Sequence, residues 1–203
     1  LVMGFLGNSH FGLEDVAVMR AIAGLTVVCP ADCGEIVKTV HAAAAFDGPM
    51  YIRLTGGPNC PVVYTEDYDF QIGRAVELKQ GNRVAIVANG SMVAPSLAAT
   101  EELANVGISA GVYNFHTVKP LDVAMLTKIC ENYEVIITVE EHSVVGGLGG
   151  AVAEATSSWA ARPPVHLHGL PDMFGKTGEY EFLLNRYGLT TAGIVEKVRT
   201  LIA

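Results

Sequence analysis

The sequence predicts an α/β protein made of two unequal units, the second built on a five-stranded, mainly parallel sheet with helices on both faces. Three observations carry this expectation. Residues 25–29 (LTVVC), 84–88 (VAIVA) and 135–139 (VIITV) are short, apolar and rich in β-branched side chains, as strands buried on both faces are. Stretches with helical spacing of apolar positions lie between them, and such alternation makes βαβ units with parallel strands. The pattern breaks at residues 58–70 (PNCPVVYTEDYDF), where two prolines and three acidic residues show no sustained period, and then restarts. The expected units are residues 1–57 and 71–203, with 58–70 as a linker.

Residues 1–7 (LVMGFLG) read as the end of a buried strand entering a glycine turn, so the chain is expected to open inside a domain. Asn8-Ser9-His10 is then a turn that sets a histidine beside a helix. Asp32 and Glu35 have the spacing of a capping box, and Ile36, Val37, Val40 and Ala44 form the stripe of the helix that follows. Gly48-Pro49 ends it, residues 50–54 (MYIRL) form a strand, and residues 55–58 leave it in a turn. The first unit has too few strands for a whole domain and reads as a C-terminal remnant.

In the second unit, residues 70–78 read as an edge strand and 84–88 as a buried one. Ser91 is expected to cap a helix over 92–106, with Pro95 tolerated in its first turn and Gly107 as its stop. A strand over 108–115, a helix over 121–132 and the strand 135–139 follow. Gly146-Gly147-Leu148-Gly149-Gly150 opens a helix reaching about residue 161, residues 165–169 form a strand, and Thr190 or Thr191 caps a final helix containing Ile194, Val195, Val198 and Leu201.

Composition excludes several classes of function. With 50% hydrophobic and 17% charged residues, a well-filled core is attainable and disorder is not expected. The net charge of −8 argues against nucleic acid, and an anionic substrate needs a local positive site working against that field. No apolar run reaches the ~20 residues that cross a bilayer. Cys29, Cys33, Cys60 and Cys130 include no C-x-x-C pair, which fits a reducing, cytoplasmic setting. Cys29, Cys33 and His41 lack the spacing and the fourth ligand of a metal site.

Four features bear chemistry. The glycine run 146–150 stands where a phosphate loop would, but lacks a P-loop's Lys-Ser/Thr and the G-x-G-x-x-G spacing; its alternative role is to let a helix backbone press on the sheet. Glu140-Glu141-His142 lies at the carboxyl end of a parallel strand, as either a ligand site or a solvated strand end. His10 is an exposed imidazole able to move a proton, or a surface histidine. Arg53 lies between apolar neighbours in a strand and must be paired, with a carboxylate of the fold or with an anionic ligand.

These residues also carry a resemblance. Ser9-His10, residues 13–20 (LEDVAVMR), 25–32 (LTVVCPAD) and 51–54 (YIRL) resemble the later half of the pyrimidine-binding domain of transketolases. Residues 84–90, 114–122 (NFHTVKPLD), 139–150 (VEEHSVVGGLGG) and 169–175 (GLPDMFG) resemble the transketolase C-terminal domain. The cast is nearest the C-terminal section of two-subunit transketolases, with deoxyxylulose-phosphate synthase and the β-subunit of 2-oxo-acid dehydrogenases as neighbours. A non-catalytic α/β assembly module is the alternative from another class.

The resemblance implies a partial pyrimidine-binding domain followed by a transketolase C-terminal-like domain, in an enzyme that moves a two-carbon ketol unit between sugar phosphates. It implies thiamine diphosphate and Mg2+ in the complete enzyme, neither held by this chain alone. It further implies a partner N-terminal section supplying the diphosphate-binding domain, within a homo- or hetero-oligomer. His10 is matched to the family's catalytic histidine on the ketol oxygen, and Arg53 to the arginine that binds the sugar phosphate. The family's aspartate on a sugar hydroxyl falls on Leu6, which puts the usual sugar specificity in question. The activating glutamate and the magnesium motif have no counterpart, so this chain alone is expected to be inactive.

Overall fold

The computed structural model describes residues 1–54 and 60–202. The turn expected at 55–58 and the first two residues of the expected linker lie outside the described residues. Eight strands and seven α-helices follow one another among the described residues: α1 Asp15–Ala21, β1 Thr26–Val28, α2 Cys33–Ala44, β2 Met50–Ile52, β3 Val76–Lys79, β4 Val84–Ala88, α3 Val93–Asn105, β5 Ala110–Asn114, β6 Thr117–Lys119, α4 Val123–Asn132, β7 Val135–Ser143, α5 Leu148–Thr156, β8 Val165–Leu170, α6 Tyr180–Arg186 and α7 Thr191–Ile202.

The main sheet has the order β3-β5-β4-β7-β8. Its pairs are parallel except at β3, an antiparallel edge. The expected five-stranded, mainly parallel sheet is thus present. Strand alternation feeds two cores. Val84, Ile86 and Ala88 of β4 face one side with Leu103, Ile194 and Val198 of α3 and α7. Ala85 and Val87 face the other with Leu126 and Ile129 of α4 and Leu148 and Val152 of α5.

Several local expectations are corrected. Residues 4–6 form a 3-10 turn, not a strand end, closed by Gly7 N–H donating to Gly4 O at 3.0 Å. Ser91 lies in a 3-10 turn ahead of α3 and makes no side-chain cap; its hydroxyl donates to Glu141 instead, at 2.5 Å. The edge strand starts at Val76 because Gly73, at φ 84°, turns the chain just before it. Helix α5 ends at Thr156, short of residue 161. Other expectations hold. Asp32 caps α2 by accepting from Glu35 N–H at 2.8 Å, and Thr190 Oγ1 accepts from Gly193 N–H at 3.2 Å.

The unit from residue 71 onward does not pack apart from the first. Strand β6, from the second unit, pairs antiparallel with β1 and completes the three-stranded sheet β2-β1-β6. Val16, Val27 and Cys29 of the first unit share a core with Val87, Phe115 and Leu126 of the second. Residues 60–70 have no regular structure but are tied to both units. Val63 and Tyr64 N–H groups donate to Asp32 Oδ2 at 2.7 and 3.1 Å, and Tyr68 donates to buried Glu35 at 2.5 Å. Asn114 Nδ2 donates to the same carboxylate at 2.9 Å. The two units are joined by a sheet and a buried polar network.

Candidate functional site

The glycine loop before α5 is occupied by the protein itself. Glu140, buried at the end of β7, accepts from the N–H groups of Leu148 and Gly149 at 2.6 and 2.8 Å. These are the helix N-terminal donors an anion would need. A Cβ at Gly147 would lie 2.0 Å from Glu140 Oε2, and one at Gly149 would lie 2.5 Å from Leu167 Cγ. The glycines therefore serve close packing, and the loop does not fit a diphosphate. Burial raises the Glu140 pKa to about 7, against the pull of those two N–H groups. On the outer side, Arg20 of α1 donates to Gly146 O at 2.6 Å.

Glu140, Glu141 and His142 are buried, not a solvated strand end, because the first unit covers them. Glu141 accepts from Ser91 and from Tyr180, the latter at 2.7 Å. His142 Nδ1 lies 2.7 Å from Ser143 O, and Ala17 N–H donates to Nε2 at 3.3 Å. One ring nitrogen then donates and the other accepts, which defines a neutral tautomer. Burial agrees, holding the His142 pKa below its ordinary value.

His10 and Arg53 meet at one cavity of about 270 Å³, bordered also by Phe11, Gly12, Asp15, Tyr51 and Glu141. His10 is exposed, and its Nδ1 lies 2.9 Å from Ser9 Oγ. Helix α1 begins five residues later, at Asp15, so His10 does not adjoin its first turn. Arg53 leaves β2 buried, with its side chain 9% exposed. Its Nε donates to Asp15 Oδ2 at 2.7 Å, and its Nη2 donates to Gly12 O and Glu141 O, each at 3.0 Å. Tyr51, two residues earlier on the same face of β2, donates to the same Asp15 oxygen at 2.7 Å. Burial works to raise the Asp15 pKa, but the Arg53 charge and the two hydrogen bonds outweigh it and hold the carboxyl below its usual range. Burial and the bond to Asp15 push the Tyr51 hydroxyl up to about 12.

Asp15 and Tyr51 were not singled out as site residues by sequence. The alternation of residues 50–54 did put Tyr51 on the Arg53 face. Leu6 is 44% exposed and does not border the cavity. A larger, mostly apolar cavity of about 600 Å³ lies where Met92, just ahead of α3, and Pro95 and Ala98 of α3 face Leu184 and Leu189. Among the described residues no three His, Cys, Asp or Glu side chains are grouped to hold a metal ion, and no helix is long and apolar enough to cross a membrane.

The profile of the transketolase pyrimidine binding domain matches residues 1–57, and that of the transketolase C-terminal domain matches residues 73–194. The chain belongs to the transketolase family. It is 40% identical over 189 residues to a 6-deoxy-6-sulfo-D-fructose transketolase subunit of Clostridium sp., covering 93% of this chain and 58% of that protein. It is 36% identical over 198 residues to a 1-deoxy-D-xylulose-5-phosphate synthase of Methylobacillus flagellatus, covering 97% of this chain and 31% of that protein. Among solved structures it is similar to a split-gene transketolase in an inactive β4 tetramer, with 38% identity and a TM-score of 0.84 over 95% of this chain and 62% of that one. This transketolase-family chain thus spans less than two thirds of the length of these relatives.

Proposed function

We propose that this chain supplies the sugar-facing wall of a thiamine-diphosphate enzyme that transfers a two-carbon ketol unit between sugars ending in an anionic group, and that it is inactive alone. The observation that carries this reading is the convergence of His10 and Arg53 on one cavity at the seam of the two units. Membership of the transketolase family supports it, as does the likeness to a protein described as a transketolase subunit. The likeness to a split-gene transketolase supports a partner N-terminal section and an oligomeric assembly. A second reading, a deoxyxylulose-phosphate synthase segment, is favoured by the 36% identity to that enzyme.

When bound, thiamine diphosphate supplies the electron sink for breaking the bond beside a ketose carbonyl. This chain's residues handle oxygens and protons. Ser9 engages His10 Nδ1, leaving Nε2 without a partner among the described residues to hold a ketol hydroxyl and accept or return its proton. Arg53, locked by three contacts, gives the cavity a fixed polar wall. The diphosphate and magnesium fall to the partner section, a reading supported by Glu140 filling the glycine loop before α5.

The test is ketol transfer by the full-length chain assembled with its N-terminal section, thiamine diphosphate and magnesium. We expect transfer that requires both sections, and a His10→Ala loss of kcat/KM of about 10²- to 10⁴-fold for every donor. Turnover by this chain alone, or an unimpaired His10→Ala enzyme, refutes the reading.

A further inference from the structure

We infer that His142 is a positioning residue that seats α1 through its neutral ring, and that on taking a proton it turns to Asp15 and loosens the wall that carries Arg53. The inference rests on the function proposed above and names a group that sets how the cavity is held, although His142 does not itself border it. The end of β7 and the loop after it grip the start of α1 at three places. Ser143 N–H donates to Leu13 O at 2.7 Å, Ala17 N–H donates to His142 Nε2 at 3.3 Å, and Arg20 Nη1 donates to Gly146 O at 2.6 Å. Asp15 stands between the first two grips, so they place its carboxylate against Tyr51 and Arg53. Ala17 is the third residue of α1, and its N–H is one of the four that a helix start cannot satisfy from within. The imidazole supplies the missing acceptor from across the seam.

Of the three grips only the middle one can titrate near neutral pH. Nδ1 lies 2.7 Å from Ser143 O and holds its proton against it, which leaves Nε2 a lone pair for Ala17. A proton on Nε2 removes that lone pair and sets two N–H groups facing each other. It also makes Nε2 a donor 3.9 Å from Asp15 Oδ1, a buried oxygen with no hydrogen-bond partner among the described residues. The other Asp15 oxygen serves Arg53 and Tyr51, so a carboxylate drawn toward His142 leaves them. The charges facing the ring are Asp15 from α1, Arg53 from β2 and Glu140 of β7, whose Oε2 lies 3.7 Å from Nδ1. Burial and the Arg53 charge outweigh the Ser143 and Glu14 carbonyls and the Asp15 charge, and hold the His142 pKa below 6.5. The neutral grip is complete above pH 6.5 and is lost as pH falls through the lowered value.

The full-length chain is isotope-labelled and titrated downward from neutral pH by NMR, and the assembled enzyme is assayed over the same range as wild type and His142→Gln. A glutamine can offer Ala17 an oxygen and has no proton to take up. At neutral pH the wild-type ring should be the tautomer with its proton on Nδ1. As pH falls below 6.5, a second proton should add at Nε2, and the Ala17 amide and Arg53 Nε–H signals should shift with the same midpoint. In the assembled enzyme the donor KM of the wild type, divided by that of His142→Gln at the same pH, should rise about three- to tenfold through that midpoint, with the kcat ratio level. The ratio cancels the titration of the donor and of His10. A merely structural His142 would leave the KM ratio flat, and a flat ratio overturns the inference. So does a ring protonated on Nε2 alone at neutral pH, or an Ala17 amide that does not follow the ring. If His142→Gln fails to fold, the wild-type titration decides by the tautomer and by the Ala17 and Arg53 signals. An assembly without ketol transfer refutes the proposed function instead, while the titration still decides the role of His142.

Discussion

Replacing Gly149 by alanine should destabilise the protein, and replacing its neighbour Gly150 in the same way should not. Both glycines lie in the first turn of α5 with ordinary helical φ. A Cβ at Gly149 would fall 2.5 Å from Leu167 Cγ and 2.7 Å from Thr138 Oγ1, side chains of β8 and β7 that cannot swing away without disturbing the sheet face. A Cβ at Gly150 would meet only the flexible ends of Arg20 and Glu154, at 3.5 and 3.7 Å. Overpacking of the first kind costs about 1–3 kcal/mol, against up to about 1 kcal/mol gained from alanine's helix propensity. The expected net is a loss of roughly 1–2 kcal/mol for Gly149→Ala and a gain of about 0.5 kcal/mol for Gly150→Ala. For a chain of this size that is a fall in Tm of roughly 3–6 °C in the first case and a rise of about 1–2 °C in the second. Thermal and urea unfolding of the two variants decide it. A Gly149→Ala protein as stable as wild type would show that the helix does not press on the sheet there, and equal losses in both would point to backbone freedom instead of close approach.

Two further outcomes follow from buried polar groups. His116 is fully buried, and burial lowers its pKa from 6.5 to about 4, so the unfolded chain takes up a proton that the folded chain refuses. Its contribution is complete above pH 6.5 and is lost as pH falls toward 4, by up to about 3 kcal/mol; His116→Phe should reduce the slope of stability against pH in that window by close to one proton, and an unchanged slope counts against this assignment. Asp122 accepts from Met125 N–H at the start of α4 and from Ala75 N–H ahead of β3, both at 2.9 Å, so Asp122→Ala should cost about 2 kcal/mol in urea unfolding, with a loss under about 0.5 kcal/mol counting against both bonds.

The sheet was legible where burial made it so. Strands β4 and β7 are buried on both faces and read as continuous apolar runs, which no exposed loop would carry. Strand β6 was not legible, because three residues ahead of Pro120 hold no period, and what makes them a strand is β1, about ninety positions away in the chain. Helix α6 escaped for a similar reason: it is seven residues long, with Leu183 its one fully buried side chain and Phe182 55% exposed. The seam between the units depends on such distant pairs. Glu141 is held by Ser91 and Tyr180, and Glu35 by Tyr68 and Asn114, which no local pattern joins.

The site shows how far a strand's period reaches and where it stops. Arg53 had to have a partner, since a guanidinium between apolar neighbours is seldom buried alone. The period of two put Tyr51 on the same face, so both side chains were bound to converge on one acceptor. What the period could not supply was that acceptor's identity. Asp15 comes from the first residue of α1, and the two carbonyls that complete the cage come from the loop before that helix and from β7. Sequence therefore left open whether a carboxylate or a ligand anion balances Arg53, and the distances make it Asp15.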